Sequence, residues 1–295
     1  MELVVEPGAD DDPPREYLLL RSLPYLLNDR YGRLPKKIYV RDCYRQIYET
    51  ASQLMVDGKM ELGTSLCTGV PGIGKSLFLL YVMYRYLHDT RFPEKQLAVQ
   101  LKQGEITRLK PTEDPTKYSF KDLDVKDAKK ENFLLLCDLR EKAEPDCRGK
   151  RGTFIFSSPN KDRYKETMKC KHSFTFLMPT WSEDELRCVD ANAARWYEAY
   201  ALFGGVPRHV LTDEFTAEEN VATVDRAILE NGRALVTKFF ECGRGPTDSD
   251  SEQSYLLLHI NPPCDENGDY KFRGKFPEYS FASDIVFQRL MAKYS

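Results

Sequence analysis

The sequence predicts an α/β fold in three layers, a mainly parallel sheet with helices on both faces, followed by a helical segment and a small C-terminal α+β piece. Three observations carry this. Short apolar runs at 64–68, 97–101, 133–138, 153–156 and 174–178 read as strands, and several are apolar without alternation. Strands buried on both faces of a parallel sheet read that way. Stretches with helical spacing stand between and after them, as at Tyr44, Ile47, Tyr48 and Leu54. Finally, a glycine-rich octapeptide joins the first buried strand to a mostly apolar helix beginning near Lys75.

That octapeptide is Gly69-Val70-Pro71-Gly72-Ile73-Gly74-Lys75-Ser76, which fits G-x-x-x-x-G-K-[ST], the phosphate-binding P-loop. Glycines let the backbone curl and turn its N–H groups inward as a nest for phosphate oxygens. The following helix adds the positive end of its dipole. Lys75 can then reach the β- and γ-phosphates, and the Ser76 hydroxyl can ligate Mg²⁺. The nucleotide-binding set expected is Gly69, Pro71, Gly72, Ile73, Gly74, Lys75, Ser76 and Leu77, with ATP and Mg²⁺ as cofactors. The spacing alone arises by chance in roughly one chain in a hundred of this length, so the strand before it and the helix after it carry the weight. The competing reading is a Gly/Pro turn with Lys75 merely solvated.

The remaining elements follow in order. Residues 1–37 read as a partly ordered lead-in, with Asp10-Asp11-Asp12-Pro13-Pro14 near its start. A helix over 40–55 stops at Asp57-Gly58, and the nucleotide core is taken as 38–180. Residues 102–131 are charged and contain proline; they read as an insertion or hairpin region. The run 133–138 ends in Asp138, and ligand residues sit at the carboxyl ends of parallel strands. Asp138 is therefore the second Mg²⁺ ligand expected. After the strand at 153–156 comes Ser157-Ser158-Pro159-Asn160. In ATPases with an extra strand between the loop strand and the Mg²⁺-carboxylate strand, a polar residue here contacts the γ-phosphate. Ser158 or Asn160 could do so, or the segment is an ordinary turn.

Thr180 or Ser182 can N-cap a helix, with Glu183 or Glu185 completing a capping box. A helical lid is expected over 181–244: a helix through Leu186 and Val189, a second carrying Trp196, Tyr197, Tyr200 and Phe203, a stop at Gly204-Gly205, and a helix pair over 221–240. Residues 245–254 read as a linker. Residues 255–295 read as a strand, a turn, a further strand from Tyr270 and a final helix from Phe281.

Composition sets limits. The chain has 295 residues, is 41% hydrophobic and 30% charged, and carries a net charge of −3, which argues against bulk electrostatic binding to a polyanion. Its eight Cys show no C-x-x-C spacing and its four His are scattered, so reduced thiols in an intracellular protein are expected rather than disulfides or zinc. No apolar run approaches a membrane span, and the acidic N-terminus lacks the features of a secretory signal, so no membrane contact is expected.

Taken together, the loop at 69–76, the strand ending at Asp138, Phe156-Ser157-Ser158-Pro159-Asn160-Lys161 with Tyr164-Lys165-Glu166, and two further segments carry a resemblance. Those segments are Met178-Pro179-Thr180-Trp181-Ser182-Glu183-Asp184-Glu185-Leu186 and Phe203-Gly204-Gly205-Val206-Pro207-Arg208. The set resembles the NTPase module shared by Crinkler-type effectors of oomycetes and fungi and retrotransposon hot spot proteins of trypanosomes. The resemblance implies an AAA+/STAND-like P-loop ATPase in which Gly205-Val206-Pro207 sits in the lid and Arg208 senses the phosphates. It also implies a nuclear location and a DNA or nuclear-protein partner; homo-oligomer formation is left open.

Two departures qualify the implication. Many AAA+ proteins place a catalytic Glu directly after the Mg²⁺-carboxylate, but Leu139 stands there, leaving Glu141 or Glu144 for the role of base. The nuclease-like domain and the Leu-x-Leu-Phe-Leu-Ala-Lys motif of longer family members are absent from the sequence. The expected activity is therefore ATP·Mg binding with ATP hydrolysis. The alternative is a non-catalytic effector or interaction module that uses nucleotide as a structural switch.

Overall fold

A computed structural model describes residues 1–7, 14–20, 35–112, 118–138, 144–159, 164–212, 215–242, 252–267, 269–274 and 277–294. The chain divides into two units: 1–67 with 76–157 and 161–176, and 68–75 with 158–160 and 177–295.

The first unit opens with strands where the sequence reading has only a lead-in. β1 (Glu2–Glu6), β2 (Arg15–Leu19) and β3 (Lys37–Tyr39) form an antiparallel sheet in the order β1-β2-β3. α1 (Asp42–Val56) follows and buries Tyr44, Ile47, Tyr48, Ala51 and Leu54, one stripe at helical spacing. Asp57 caps its C-terminus and Gly58, at φ +68°, turns the chain away.

The central sheet of the described residues has the order β10-β4-β9-β8-β5-β6-β7. Its strands are β4 (Thr64–Thr68), β5 (Leu97–Lys102), β6 (Glu105–Pro111), β7 (Tyr118–Leu123), β8 (Leu134–Cys137), β9 (Gly152–Phe156) and β10 (Ser173–Leu177). β4, β9, β8 and β5 run parallel, with registers such as Leu66↔Ile155, Leu136↔Phe154 and Val99↔Leu136. β10 also runs parallel to β4: Thr64 N–H donates to His172 O (2.9 Å) at one end, and Met178 N–H donates to Thr68 O (2.8 Å) at the other. Every residue of β4, β8 and β9 is buried, which is why their sequences show no alternation of apolar and charged residues. β6 and β7, in the stretch read as an insertion or hairpin region, pair antiparallel at the sheet edge, and the short α3 (Val125–Ala128) follows.

Each face of this sheet has its own core. On one face, Phe78 of α2 (Lys75–His88) stacks on Tyr44 of α1 at 4.9 Å between centroids. Phe78 also meets Phe154 and Phe156 of β9 edge-on at 6.1 and 5.7 Å. On the other face Leu66, Leu135, Cys137 and Ile155 pack with Ala128 of α3, Cys147 and Tyr164. The fold is thus mixed α/β around a mostly parallel central sheet.

In the second unit, Ser182 N-caps α4 (Glu183–Val189) in a capping box: its hydroxyl accepts from Glu185 N–H and the Glu185 carboxylate accepts from Ser182 N–H, both at 3.1 Å. α5 (Ala193–Phe203) ends at Gly204, whose φ of +59° reverses the chain, and Pro207 starts the short α6 (Pro207–Val210). α7 (Ala217–Cys242) is a single helix of 26 residues, not the helix pair that the sequence predicts. The physical reason is Gly232. A Cβ there would lie 2.7 Å from Tyr294 Cε2 and 2.8 Å from Leu290 Cδ2, so this glycine lets α8 (Asp284–Tyr294) pack close rather than breaking the helix. Tyr294 Oη–H donates to Ile228 O (2.8 Å) at the same crossing. β11 (Leu258–Asn261) pairs antiparallel with β12 (Glu278–Phe281). From Tyr270 the chain makes an isolated bridge to Cys264 rather than a strand. The expected linker at 245–254 lies outside the described residues up to Ser251.

Candidate functional site

β4 delivers the chain to Thr68, and the glycine loop begins at the next residue. Gly72 and Gly74 adopt φ of +91° and +99°, a region that L side chains rarely enter, so a side chain at either position would strain the turn. The Lys75 side chain is buried, and its Nζ donates to Gly69 O and Val70 O, both at 2.8 Å. The ammonium thus draws the two ends of the loop together. α2 starts at Lys75 with no acidic residue in its first turn, so no carboxylate of the helix offsets the positive end of its dipole there.

Two segments of the same unit close around the loop. Met178 and Trp181 form one wall. A Cβ on Gly69 would lie 2.6 Å from Met178 O, and Trp181 Nε1–H donates to Ile73 O at 2.8 Å. The turn 204–208 forms the other: a Cβ on Gly72 would lie 2.8 Å from Arg208 Cβ and 3.2 Å from Val206 Cγ1. The two walls are joined as well, because Trp181 N–H donates to Gly205 O at 2.8 Å. The loop, the Pro-Thr-Trp-Ser segment and the Gly-Gly-Val-Pro-Arg segment, widely separated in sequence, therefore meet at one place. Arg208 is exposed, with its stem against Gly72. Ser158 belongs to the same unit and is half-buried.

Ser76, Leu77, Asp138 and Glu144 belong to the first unit. Ser76 and Leu77 are half-buried in the first turn of α2. Asp138 directly follows β8, is buried, and donates its N–H to Gln100 O at 3.1 Å. Glu144 is fully engaged: its carboxylate accepts from Glu166 N–H and Thr167 N–H, both at 2.7 Å, and from the Thr167 hydroxyl. Glu141 and Asn160 lie outside the described residues. Among the described residues no group of three His, Cys, Asp or Glu could hold a metal ion.

Some neighbours escaped the sequence reading. The buried Gln100 side chain donates to the Asp146 carboxylate and accepts from Asp146 N–H (3.1 Å), while Gly104 N–H donates to the same carboxylate (2.6 Å). This ties down the chain shortly after Asp138, and nothing in the spacing of Gln100 and Asp146 announces it. At the carboxyl end of β9, Ser157 N–H donates to Cys67 O (3.1 Å), and the buried Ser157 hydroxyl has no hydrogen-bond partner among the described residues. Burial favours the protonated form of both thiols here, pushing Cys137 well up and Cys147 to about 11. Against Gly204 of the 204–208 turn lies His259, buried and with its Nε2 unpartnered among the described residues; burial and then His209 hold its pKa down at about 4.

No family model matches the chain. Two curated proteins of Phytophthora infestans, Crinkler effector protein 15 and Crinkler effector protein 16, are each 27% identical to it over 191 residues. The chain is similar to Crinkler effectors. The similarity covers 60% of this chain but 29% of each relative, so the chain spans less than a third of the length of the curated relatives it matches. No helix among the described residues is long and apolar enough to cross a membrane.

Proposed function

We propose that this Crinkler-like chain binds Mg·ATP through residues 69–77, hydrolyses it slowly, and passes the nucleotide state to the segments around Trp181 and Arg208. The observation that carries this reading is the loop itself. Its turn is built on left-handed Gly72 and Gly74, and Lys75 is held over its carbonyls between a buried strand and a helix start. The sheet order supports it, since β9 lies between β4 and β8, the arrangement of ATPases with an extra strand beside the loop strand. Kinship with retrotransposon hot spot proteins and with AAA+/STAND ATPases is part of the proposal, as are a nuclear site of action and a DNA or nuclear-protein partner. The absence of an N-K-x-D motif favours ATP over GTP.

The residues present fit the group. Backbone amides of the loop would bind the phosphates and Lys75 would turn from the loop carbonyls to the β- and γ-oxygens. Ser76 and Asp138 would hold the ion, with phosphate and water completing its octahedral shell, since Mg²⁺ seldom takes an all-protein cage. Bound there, Mg²⁺ neutralises charge on the phosphate oxygens. Calorimetric titration with Mg·ATP tests the reading: Lys75→Ala should weaken binding at least about tenfold, and an unchanged affinity would sink the site.

A second reading has its own support. Leu139 follows Asp138, and the Glu144 carboxylate is committed to residues 166–167. With Leu139 after Asp138 and Glu144 engaged in this way, nucleotide would act as a structural latch in an interaction module. Strong thermal stabilisation by Mg·ATP without phosphate release, with or without DNA, would favour this second reading.

A further inference from the structure

We infer that Trp181 is a positioning residue of the phosphate loop: its indole N–H fixes the Ile73–Gly74 peptide so that the Gly74 amide faces the anion. The inference rests on the nucleotide reading and extends it to a residue outside the motif. In a trans peptide the C=O and the next N–H point in opposite directions, and no described peptide is cis. Trp181 Nε1–H holds Ile73 O at 2.8 Å, on the side of the 178–182 wall. The Gly74 N–H therefore points away from that wall. Ile73 is buried, so no solvent competes for its carbonyl and the peptide has little freedom to flip. A loop of this kind binds phosphate through the direction of its amides, so one indole selects a binding-competent conformation.

Trp181 is itself placed by the 204–205 turn. Its N–H donates to Gly205 O at 2.8 Å, and a Cβ on Gly205 would lie 1.8 Å from Trp181 O, so the two backbones are in direct contact. The next residues of that turn, Val206 and Arg208, lie against Gly72. A single residue thus links the orientation of a loop amide to the position of the turn. That is the connection a nucleotide-dependent movement of the turn requires.

The test uses Trp181→Phe, which keeps an aromatic ring and removes the donor, with Mg·ATP and Mg·tripolyphosphate as probes. The variant should bind both about tenfold more weakly, the worth of one buried hydrogen bond, because the lost contact concerns phosphate and not the base. A second measurement needs no variant fold. The chain has two tryptophans, and Trp196 Nε1–H donates to Asp190 O rather than to a loop carbonyl. On saturation with Mg·ATP the indole ¹H–¹⁵N signal of Trp181 should shift while that of Trp196 stays. Wild type that binds, with an equally tight Trp181→Phe variant or a stationary Trp181 signal, overturns this inference alone. Wild type that binds neither probe overturns the nucleotide reading and this inference with it.

Discussion

A methyl group at position 205 has nowhere to go. Built on the backbone of Gly205, a Cβ falls 1.8 Å from Trp181 O, 2.6 Å from Trp181 N and 2.7 Å from Trp181 C. All three are backbone atoms, so no side-chain rotation relieves the clash and the turn itself must move by more than an ångström. That movement breaks the Trp181 N–H···Gly205 O bond, worth about 1 kcal/mol. Overpacking adds about 1–3 kcal/mol, so Gly205→Ala should cost about 3 kcal/mol. For a protein of this size each kcal/mol is worth roughly 2–4 °C, giving a fall in melting temperature of about 6–12 °C. Thermal melting followed by circular dichroism measures it, with Gly274→Ala as control: no heavy atom lies within 4 Å of a Cβ there. The control should stay within about 0.5 kcal/mol of wild type. If Gly205→Ala melts within about a degree of wild type, the turn does not press on Trp181 and the coupling of loop to turn is refuted.

Other outcomes follow from the same contacts. His259 is buried with its pKa lowered to about 4, so its neutral form is favoured in the folded state; the stability this contributes is complete above the ordinary value near 6.5 and is lost as pH falls from there toward 4. His209, lowered by burial and by Arg208, acts in the same direction. Urea unfolding at pH 7.5 and pH 5 should show an acid loss of a few kcal/mol at most that His259→Leu reduces. Glu144→Ala should destabilise by about 2 kcal/mol, because two amides and a hydroxyl lose a charged acceptor. Its phosphate release per folded molecule should be unchanged; a hundredfold fall in turnover would instead make Glu144 the base. Ser182→Ala removes the cap of α4 and should cost about 1 kcal/mol in denaturant unfolding.

Local chemistry wrote much of this molecule in advance. Short strand-like runs marked β4, β5, β8, β9 and β10, and the one unbroken apolar run gave β8, because a strand buried on both faces leaves little room for alternation. Ser182 and Glu185 announced the start of α4, and Gly204 the end of α5, because capping and chain reversal are decided within a few residues. Where packing decides, less was legible. The helix pair expected over 221–240 is one helix whose Gly232 lies against α8, and the stretch after Lys102, read as an insertion or hairpin region, supplies the paired strands β6 and β7 at the edge of a sheet whose position it does not encode. The lead-in strands β1 and β2 likewise depend on each other and on β3 rather than on their own short sequences.

The candidate site divides along the same line. Sequence alone determined the loop, since Gly72, Gly74 and Lys75 are required by backbone conformation and charge within eight residues. Only the tertiary structure decided what holds that loop. Trp181 lies 108 residues from Ile73, and Gly205 and Arg208 lie further still; their convergence is a property of the folded chain. It also decided that Glu144 spends its carboxylate on residues 166–167. A spacing pattern records which groups can do chemistry, whereas hydrogen-bond partners fixed by packing determine which of them are free to do it.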